Sequence, residues 1–351
     1  MNHLSEEIYM QRCIQLALLG AGNVSPNPMV GAVLVYEDTI IGEGYHAVFG
    51  QAHAEVNCIN SVEEKDKSKI SKSTLFVSLE PCAHFGKTPP CADLIIKNKI
   101  VRVVIGCKDI FAQVAGRGIK RLRDAGVEVI TEVLEKECIE LNKRFFTFHQ
   151  IKRPYIILKW AQSFNHKIGS LSERVLISND YSNRLVHKMR SEEASILVGT
   201  KTASMDNPSL TTRLWKGQNP MRIIIDSDLK LDTSLNIFNK EAPTIIFNTL
   251  KNEMIQNIRY IRLNRQYFLF ELLHSLYNLN INSVFVEGGA KTSQSFIDSG
   301  IWDEAVVITN EKLHIQDGVD APDLKSAVLN KQVKYLDDTI TYYTNTINII
   351  D

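Results

Sequence analysis

Short apolar runs alternate with helix-length segments along this chain, and the rhythm stops and restarts once, at Lys152-Arg153-Pro154. Runs such as Thr74–Leu79 and Ser195–Gly199 read as strands. Strands alternating with helices imply α/β layering in each half. The 351 residues are ample for two such domains, each able to bury its own core. The proline break sets the expected division at 1–150 and 151–351.

Residues 6–19 carry near-helical periodicity and end against Gly20 and Gly22. Pro26-Asn27-Pro28 cannot continue a helix and reads as a loop. A hairpin follows, formed by residues 30–35 and a run from Thr39, turning at Glu37-Asp38. Residues 52–63 read as a helix, Thr74–Leu79 as a strand, and Pro89 or Pro90 opens a helix ending near Lys97. Strands are expected at 101–106 and 127–131 around a helix at 118–125, and residues 135–150 are mixed helical and aromatic. In the second half, strands are expected at 155–159, Ser195–Gly199, 222–226, 243–247, Ser283–Val286 and 305–309, with helices at 180–190 and 291–298.

Charge narrows the partners. Residues 1–150 hold 17 Lys and Arg against 18 Asp and Glu, and the remainder 23 against 22. Neither half has the basic excess that phosphate-backbone binding requires, so a dedicated nucleic-acid protein is disfavoured; a small phosphorylated ligand is not. No stretch approaches the ~20 apolar residues of a membrane span. Glu6 and Glu7 stand where a secretory leader would be positive, so a cytoplasmic location with no membrane partner is expected. All six cysteines lie in the first 138 residues, and in a reducing compartment that clustering suggests metal binding or catalysis before disulfides.

His53-Ala54-Glu55 is followed by Pro81-Cys82 and Cys91. One imidazole and two thiolates make a three-ligand zinc set with a fourth tetrahedral position left for water. Glu55 is not needed as a ligand and suits the proton shuttle of a zinc deaminase, in which the metal activates water for attack on an amidine-like ring carbon. His53 and Cys82 fall where helices plausibly begin, which would favour thiolate. Each piece alone is weak: His-x-Glu arises by chance, a lone cysteine is usually a small core residue, and a closed structural zinc site would leave Glu55 idle. Together, with Glu80-Pro81-Cys82 at the end of a strand, they favour a catalytic zinc site. Cys13, Cys58, Cys107 and Cys138 read as core residues.

Asn27-Pro28-x-Val30-Gly31, Gly42-x-Gly44-Tyr45-His46, His53-Ala54-Glu55, Glu80-Pro81-Cys82 and Gly86-Lys87-Thr88-Pro89-Pro90-Cys91 resemble the deaminase half of the bacterial bifunctional deaminase/reductase family of riboflavin biosynthesis, RibD. The eight-residue gap between the cysteines sets this pattern apart from the Pro-Cys-x-x-Cys of cytidine and tRNA-adenosine deaminases, and Val114-Ala115-Gly116-Arg117-Gly118 agrees with the riboflavin branch. The resemblance implies a cytidine-deaminase-like three-layer domain in which Asn27, Lys87 and Asp109 contact the substrate. Where many members have Asp-Pro-Asn, this chain reads Asp109-Ile110-Phe111.

Beyond residue 153, Leu158-Lys159-x-Ala161-x-Ser163, Val198-Gly199-Thr200-x-Thr202, Asp206-Asn207-Pro208-x-Leu210-Thr211-x-Arg213 and Arg222-Ile223-Ile224-Ile225-Asp226-Ser227 resemble the family's reductase domain. Val286-Glu287-Gly288-Gly289-Ala290 does so most strongly, since a strand running through two glycines into a helix lets backbone N–H groups approach a phosphate. The resemblance implies a dihydrofolate-reductase-like α/β domain. Ala161, Thr202, Asp206, Ser227 and Gly289, Ala290, Lys291, Thr292, Ser293, Gln294 and Ser295 would hold NADPH. Arg190, Leu210, Arg213 and Glu287 would hold the substrate, the two arginines forming a clamp for a ribose 5-phosphate. Lys159 could handle a proton or phosphate, or be a solvated strand-end lysine.

This half departs further from the family. The usual Ser-Leu-Asp-Gly-Lys reads Ser163-Phe164-Asn165-His166-Lys167, and the common Ser-x-Trp-Ile-Thr reads Arg174-Val175-Leu176-Ile177-Ser178. The expected protein is therefore a bifunctional enzyme with zinc and NADPH as cofactors and a phosphorylated aminopyrimidine as substrate. It would deaminate a diamino-pyrimidinone ribosylamine 5′-phosphate and then reduce the ribosyl group to ribityl. The alternative is an active deaminase whose second domain only binds ligand or mediates assembly. Homo-oligomerisation is implied by the resemblance alone.

Overall fold

A computed structural model describes residues 3–84, 89–110, 116–171 and 175–346. Two compact units divide the chain, Met1–Lys152 and Arg153–Asp351. In the first, α1 (His3–Leu18) leads to the hairpin β1 (Gly31–Tyr36) and β2 (Thr39–Tyr45), followed by α2 (Ala54–Asn60) and β3 (Thr74–Leu79). Then come α3 (Cys91–Lys97), β4 (Arg102–Cys107), α4 (Arg117–Asp124), β5 (Glu128–Ile130), α5 (Glu135–Leu141) and α6 (Lys143–Ile151). Glu37 and Asp38 both take positive φ, the left-handed pair that matches strand twist in a two-residue hairpin. The expected helix at 52–63 is shorter, and the Lys/Ser-rich connection after it is a 3-10 segment, Glu64–Lys72.

The sheet order is β2-β1-β3-β4-β5, with β3, β4 and β5 parallel and β1 antiparallel to both neighbours. Successive strand residues point to opposite faces. Val33, Val35, Phe76 and Val104 pack against Met10, Cys13, Leu141 and Phe145, while Ala32, Leu34, Leu75 and Val103 pack against Ala54, Cys58, Ile95 and Leu122. Helices cover both faces, which is why these strands read as continuous apolar runs. Cys13, Cys58, Cys107 and Cys138 are all buried in these two clusters, as the sequence suggested.

The second unit comprises β6 (Tyr155–Ser163), β7 (Lys167–Ser170), α7 (Asp180–Glu192), β8 (Ser195–Gly199), α8 (Thr200–Asp206), β9 (Met221–Ile225), β10 (Thr244–Asn248) and β11 (Glu253–Ile255). It continues through β12 (Ile258–Arg262), α9 (Phe268–Asn278), β13 (Ser283–Val286), α10 (Ala290–Asp298), β14 (Glu304–Asn310), β15 (Gly318–Asp320), β16 (Ala327–Tyr335) and β17 (Asp338–Asn345). A ten-stranded sheet has the order β11-β12-β10-β9-β8-β13-β6-β14-β17-β16; the strands from β12 to β14 in that order are parallel and both ends are antiparallel. Leu272, Leu276 and Phe296 cover one face through Leu158, Leu197 and Val286, and Val186 and Ala203 cover the other through Ile157, Val198 and Phe285.

The parallel strands are the ones legible in the sequence. The elements it did not reveal include α8, α9, β12 and the β16–β17 hairpin. In β16, Ala-Val-Leu-Asn-Lys-Gln-Val-Lys-Tyr is mostly exposed, so no apolar run marks it. Lys159 lies inside β6, which runs to Ser163, and not at a strand end. Among the described residues no helix is long and apolar enough to cross a membrane.

Candidate active sites

One end of the first sheet gathers the reactive residues. Because β1 and β2 are antiparallel to each other and β1 to β3, the residues entering β1, leaving β2, leaving β3 and leaving β4 meet there. These are Asn27, His46, Cys82 and Asp109. His53 is the N-cap residue of α2, which places Glu55 in its first turn, and Cys91 is the first residue of α3, capped by Pro90. The helix start therefore belongs to Cys91; Cys82, expected at one, follows Pro81 out of β3, and among the described residues between it and Cys91 no helix begins. Cys82 is nonetheless held at a helix N-terminus, since the Cys91 amide donates to its sulfur at 3.3 Å.

His53 Nδ1 lies 3.6 Å from Cys82 Sγ and 3.3 Å from Cys91 Sγ, and the three donor atoms form a metal-sized group. Ordinary zinc–nitrogen and zinc–sulfur bonds at tetrahedral angles put such donors about 3.6 Å apart, so the residues present fit zinc. Hydrogen bonds from Cys91 and from the His53 ring draw the Cys82 thiol down to about 4, the ionised form a metal requires. Glu55 is 3% exposed; burial, reinforced by the Cys82 thiolate, pushes its carboxyl up to about 6. A carboxyl balanced near neutrality can both take and give a proton.

Two positions in this unit carry structure that the sequence did not reveal. His46 is 3% exposed, with Nδ1 at 3.1 Å from the Ala52 carbonyl and Nε2 at 3.2 Å from Asn27 Nδ2. The carbonyl can only accept, so Nδ1 carries the proton and Nε2 accepts from the Asn27 amide, leaving its oxygen end oriented. The Gly44-Tyr45-His46 motif was the available signal. The second position is Glu80, whose carboxylate is bonded, among the described residues, to backbone amides. Lys87 and Phe111, with the Gly86-Lys87-Thr88 and Val114-Ala115 stretches, lie outside the described residues, as does Arg174.

In the second unit the implied cofactor residues converge on the carboxyl ends of parallel strands: Ala161 in β6, Thr202 and Asp206 after β8, Ser227 after β9 and Gly289 after β13. Ligands favour that edge in open α/β sheets. The Gly199 amide donates to the Gly288 carbonyl at 3.0 Å, locking the two strand ends together. A Cβ on Gly289 would stand 2.9 Å from Thr202 Oγ1, and one on Gly199 only 2.5 Å from Thr292 Oγ1. The α10 N-terminus has no side-chain cap, and the Ser293 hydroxyl is buried without a partner. A glycine-lined cradle with open helix amides fits the pyrophosphate of a dinucleotide.

Within the 289–295 run the geometry is uneven. Gly289, Ala290, Lys291 and Thr292 border the open helix start, Gln294 spends its amide on Asp298 and Asp323, and the Ser295 hydroxyl donates to the Thr292 carbonyl. Asp206 ends α8 on the surface.

The two arginines expected at a phosphate differ in their partners. Arg190 Nε and Nη2 reach the two oxygens of Glu287 at 2.5 and 2.8 Å, and Lys159 Nζ lies 3.9 Å from the same carboxylate. All three are largely buried. Arg190 is thus ion-paired with Glu287, whereas the Arg213 side chain is exposed and contacts Thr211 Oγ1 at 3.4 Å. Burial alone would raise the Glu287 carboxyl, but Arg190 and Lys159 outweigh it and bring it down to about 2. Burial lowers Lys159, correcting the solvated reading. His187 accepts the Arg213 amide at Nδ1 (3.0 Å), and burial together with Arg190 and Arg213 lowers it to about 4. Leu210 packs its side chain into the core at 2% exposure, with its backbone at φ 53°.

Of the departures from the family, those at 165, 166 and 176 lie among the described residues. His166 stands at φ 57°, where glycine is the usual residue, and its ring meets Gln162 Nε2 at 3.0 Å. Asn165 accepts from the Ser163 hydroxyl and exchanges bonds with the Ile315 backbone. Leu176 is 79% exposed.

A water-activating zinc centre beside a buried carboxylate on one α/β unit, and a glycine-lined dinucleotide cradle on another, define a zinc-dependent deaminase joined to an NADPH-dependent reductase. The profile of the cytidine and deoxycytidylate deaminase zinc-binding region matches residues 4–107, and that of the RibD C-terminal domain matches 154–313. The riboflavin biosynthesis protein RibD of Aquifex aeolicus is 38% identical over 333 residues, covering 93% of this chain and 92% of its own length. That of Escherichia coli is 33% identical over 88% and 89%. The crystal structure of a Thermotoga maritima diaminohydroxyphosphoribosylaminopyrimidine deaminase/5-amino-6-(5-phosphoribosylamino)uracil reductase superposes with a TM-score of 0.90 at 34% identity, covering 98% of this chain and 99% of that one.

The chain belongs to the RibD family, the bifunctional deaminase/reductases of riboflavin biosynthesis. Its first unit is cytidine-deaminase-like and its second dihydrofolate-reductase-like.

Proposed function

We propose that this chain deaminates 2,5-diamino-6-ribosylamino-4(3H)-pyrimidinone 5′-phosphate and then reduces the ribosyl group of the product to ribityl. The observation carrying the first step is the His53, Cys82, Cys91 donor triangle with Glu55 buried beside it. Zinc bound there supplies Lewis-acid activation of the water that attacks the amine-bearing ring carbon. Glu55 takes one proton of the water and gives it to the ring nitrogen, then carries the second, from the attacking oxygen, to the amine, so that ammonia leaves and a carbonyl takes its place. Asn27, oriented by His46, presents its amide to the ring edge, and Asp109 accepts from an exocyclic amine. Lys87 is assigned to phosphate or carbonyl contact from its chemistry and motif alone.

For the second step this unit would hold NADPH, whose chemistry would be a hydride for C1′ of the imine formed when the ribosyl ring opens, with a proton from solvent completing the amine. Ala161, Thr202, Asp206, Ser227 and the start of α10 hold the dinucleotide, and the cradle's lack of side chains permits close approach. Glu287 and Lys159 present a fixed, dry pair of charges to the sugar, while Arg213 meets the 5-phosphate. Positioning carries most of this catalysis, because hydride transfer needs only an electrophilic carbon held near the donor. The hydrogen-bonded turn at Asn165 and His166 supports an active reductase over the assembly-only alternative.

We further assign the chain to the cytoplasm, where its six free cysteines are stable, and to a homo-oligomer, which light scattering tests directly. The decisive experiment supplies zinc-loaded protein with the diamino nucleotide and NADPH and follows ammonia and NADPH together. Ammonia release followed by NADPH oxidation is expected. Ammonia alone would sink the reductase assignment, and no ammonia would sink the substrate.

A further inference from the structure

Glu80 leaves β3 two residues before Cys82 and is 4% exposed. Its Oε2 accepts from the Asp109 amide at 3.2 Å and the Gly116 amide at 3.0 Å; its Oε1 accepts from Gly118 at 3.0 Å and Ile119 at 3.2 Å. A carboxylate has about four acceptor sites, and all are filled by backbone N–H groups. Gly116 is the N-cap residue of α4 and supplies no side-chain cap, so Glu80 caps that helix from another strand. Negative charge at a helix start is stabilised by the helix dipole and by charge-assisted hydrogen bonds.

Capping alone does not call for this arrangement. A cap for α4 needs only the helix amides at Gly118 and Ile119, and the bond to the Asp109 amide lies outside that need. What Glu80 adds is a cross-link. The same carboxylate grips the chain where it leaves β4, at Asp109, and where it re-enters helix, at Gly116–Ile119, and joins both to the segment carrying Cys82. The joint is tight: a Cβ on Gly118 would lie 2.0 Å from the Pro81 carbonyl oxygen, so α4 begins directly on the peptide that precedes the metal ligand.

We infer that Glu80 is a positioning residue of the deaminase, holding the substrate-facing Asp109 in register with the metal-ligand segment through its four-amide carboxylate cage. The inference rests on the assignment of Asp109 to substrate binding. Glutamine at this position keeps one acceptor oxygen but turns an NH2 group toward backbone donors, so at least two of the four bonds fail. Asp109 shifts while His53, Glu55 and Cys91, held by α2 and α3, and Cys82, held by the Cys91 amide, stay.

The test compares full-length wild type, Glu80→Gln, Asp109→Ala and the double variant. In Glu80→Gln, zinc content and the reductase rate on the deaminated intermediate should match wild type, and deaminase KM should rise about 10- to 100-fold with kcat changed far less. Adding Asp109→Ala to Glu80→Gln should cost much less than adding it to wild type, because both act through one contact. Additive losses, an unchanged KM, or loss of zinc would each overturn the inference. Amide exchange is read in parallel: the Asp109 and Gly116–Ile119 amides should exchange faster in Glu80→Gln, and unchanged protection also overturns it. A wild type that does not deaminate the proposed substrate would overturn that functional assignment instead, and the exchange arm would still report on the cage. Should Glu80→Gln not fold, Glu80→Asp, which keeps the charge on a shorter arm, is read by the same exchange and KM measurements.

Discussion

In the first unit the chemistry sits on the starts of helices, whereas in the second it sits on the ends of strands and on charges that neutralise one another. His53 and Cys91 are cap and first-turn residues, and their reactive atoms meet within 3.3 Å. The second unit offers an almost bare glycine edge for the cofactor and, beside it, the Arg190–Glu287–Lys159 cluster. A metal centre needs particular donor atoms, so its residues announce themselves by type. A dinucleotide cradle needs backbone amides and the absence of side chains, which many turns share.

The comparison can be broken at several points. Glu55→Gln should keep zinc at wild-type stoichiometry yet lower deamination on the order of 10²- to 10⁴-fold, with the reductase unaffected; a variant deaminating at the wild-type rate would remove Glu55 from the mechanism. Glu287→Ala should be costly to the second unit, because it leaves Arg190 and Lys159 buried without their anion. Breaking a buried ion pair by removing one partner costs roughly 3–5 kcal/mol, and denaturant unfolding reads it directly.

Acid should strike the same cluster. His187 titrates lower in the folded state than its ordinary 6.5, at about 4, and Glu287 falls from 4.5 to about 2. The unfolded chain therefore binds protons first in both cases. Their contributions are complete above pH 6.5 and 4.5 respectively, and are lost as pH falls through 4 and then 2. A urea midpoint for the second unit that does not drop between pH 7 and pH 4 would contradict this.

Smaller effects sharpen the picture. Gly289→Ala should weaken NADPH binding about tenfold, because its methyl must push Thr202 Oγ1 out of the cradle; titration of the apoprotein measures it. His166→Gly should stabilise the protein by up to about 1 kcal/mol by relieving the left-handed backbone, less whatever the ring's contact with Gln162 contributes.

Much of this was legible before any coordinates. The parallel core strands announced themselves as apolar runs, and Thr74–Leu79, Ser195–Gly199 and Ser283–Val286 stand where the sequence placed them. Strands with one solvated face, β16 above all, did not, because half their residues are polar. Cys82 was placed at a helix start by its neighbours, but only the fold shows that its helix amide comes from Cys91, nine residues on.

By itself the sequence determined the layering, the zinc donor set and the carboxylate beside it, because apolar period and donor chemistry are properties of residue types at short spacing. Tertiary structure alone decided which charges are spent and which are open. Arg190 and Glu287 stand 97 residues apart, and packing pairs them while Arg213 stays exposed. Glu80 gained its four amides, and Asn27 its His46, in the same way. A side chain's partner is set by where packing brings distant backbone together, and no local pattern records that.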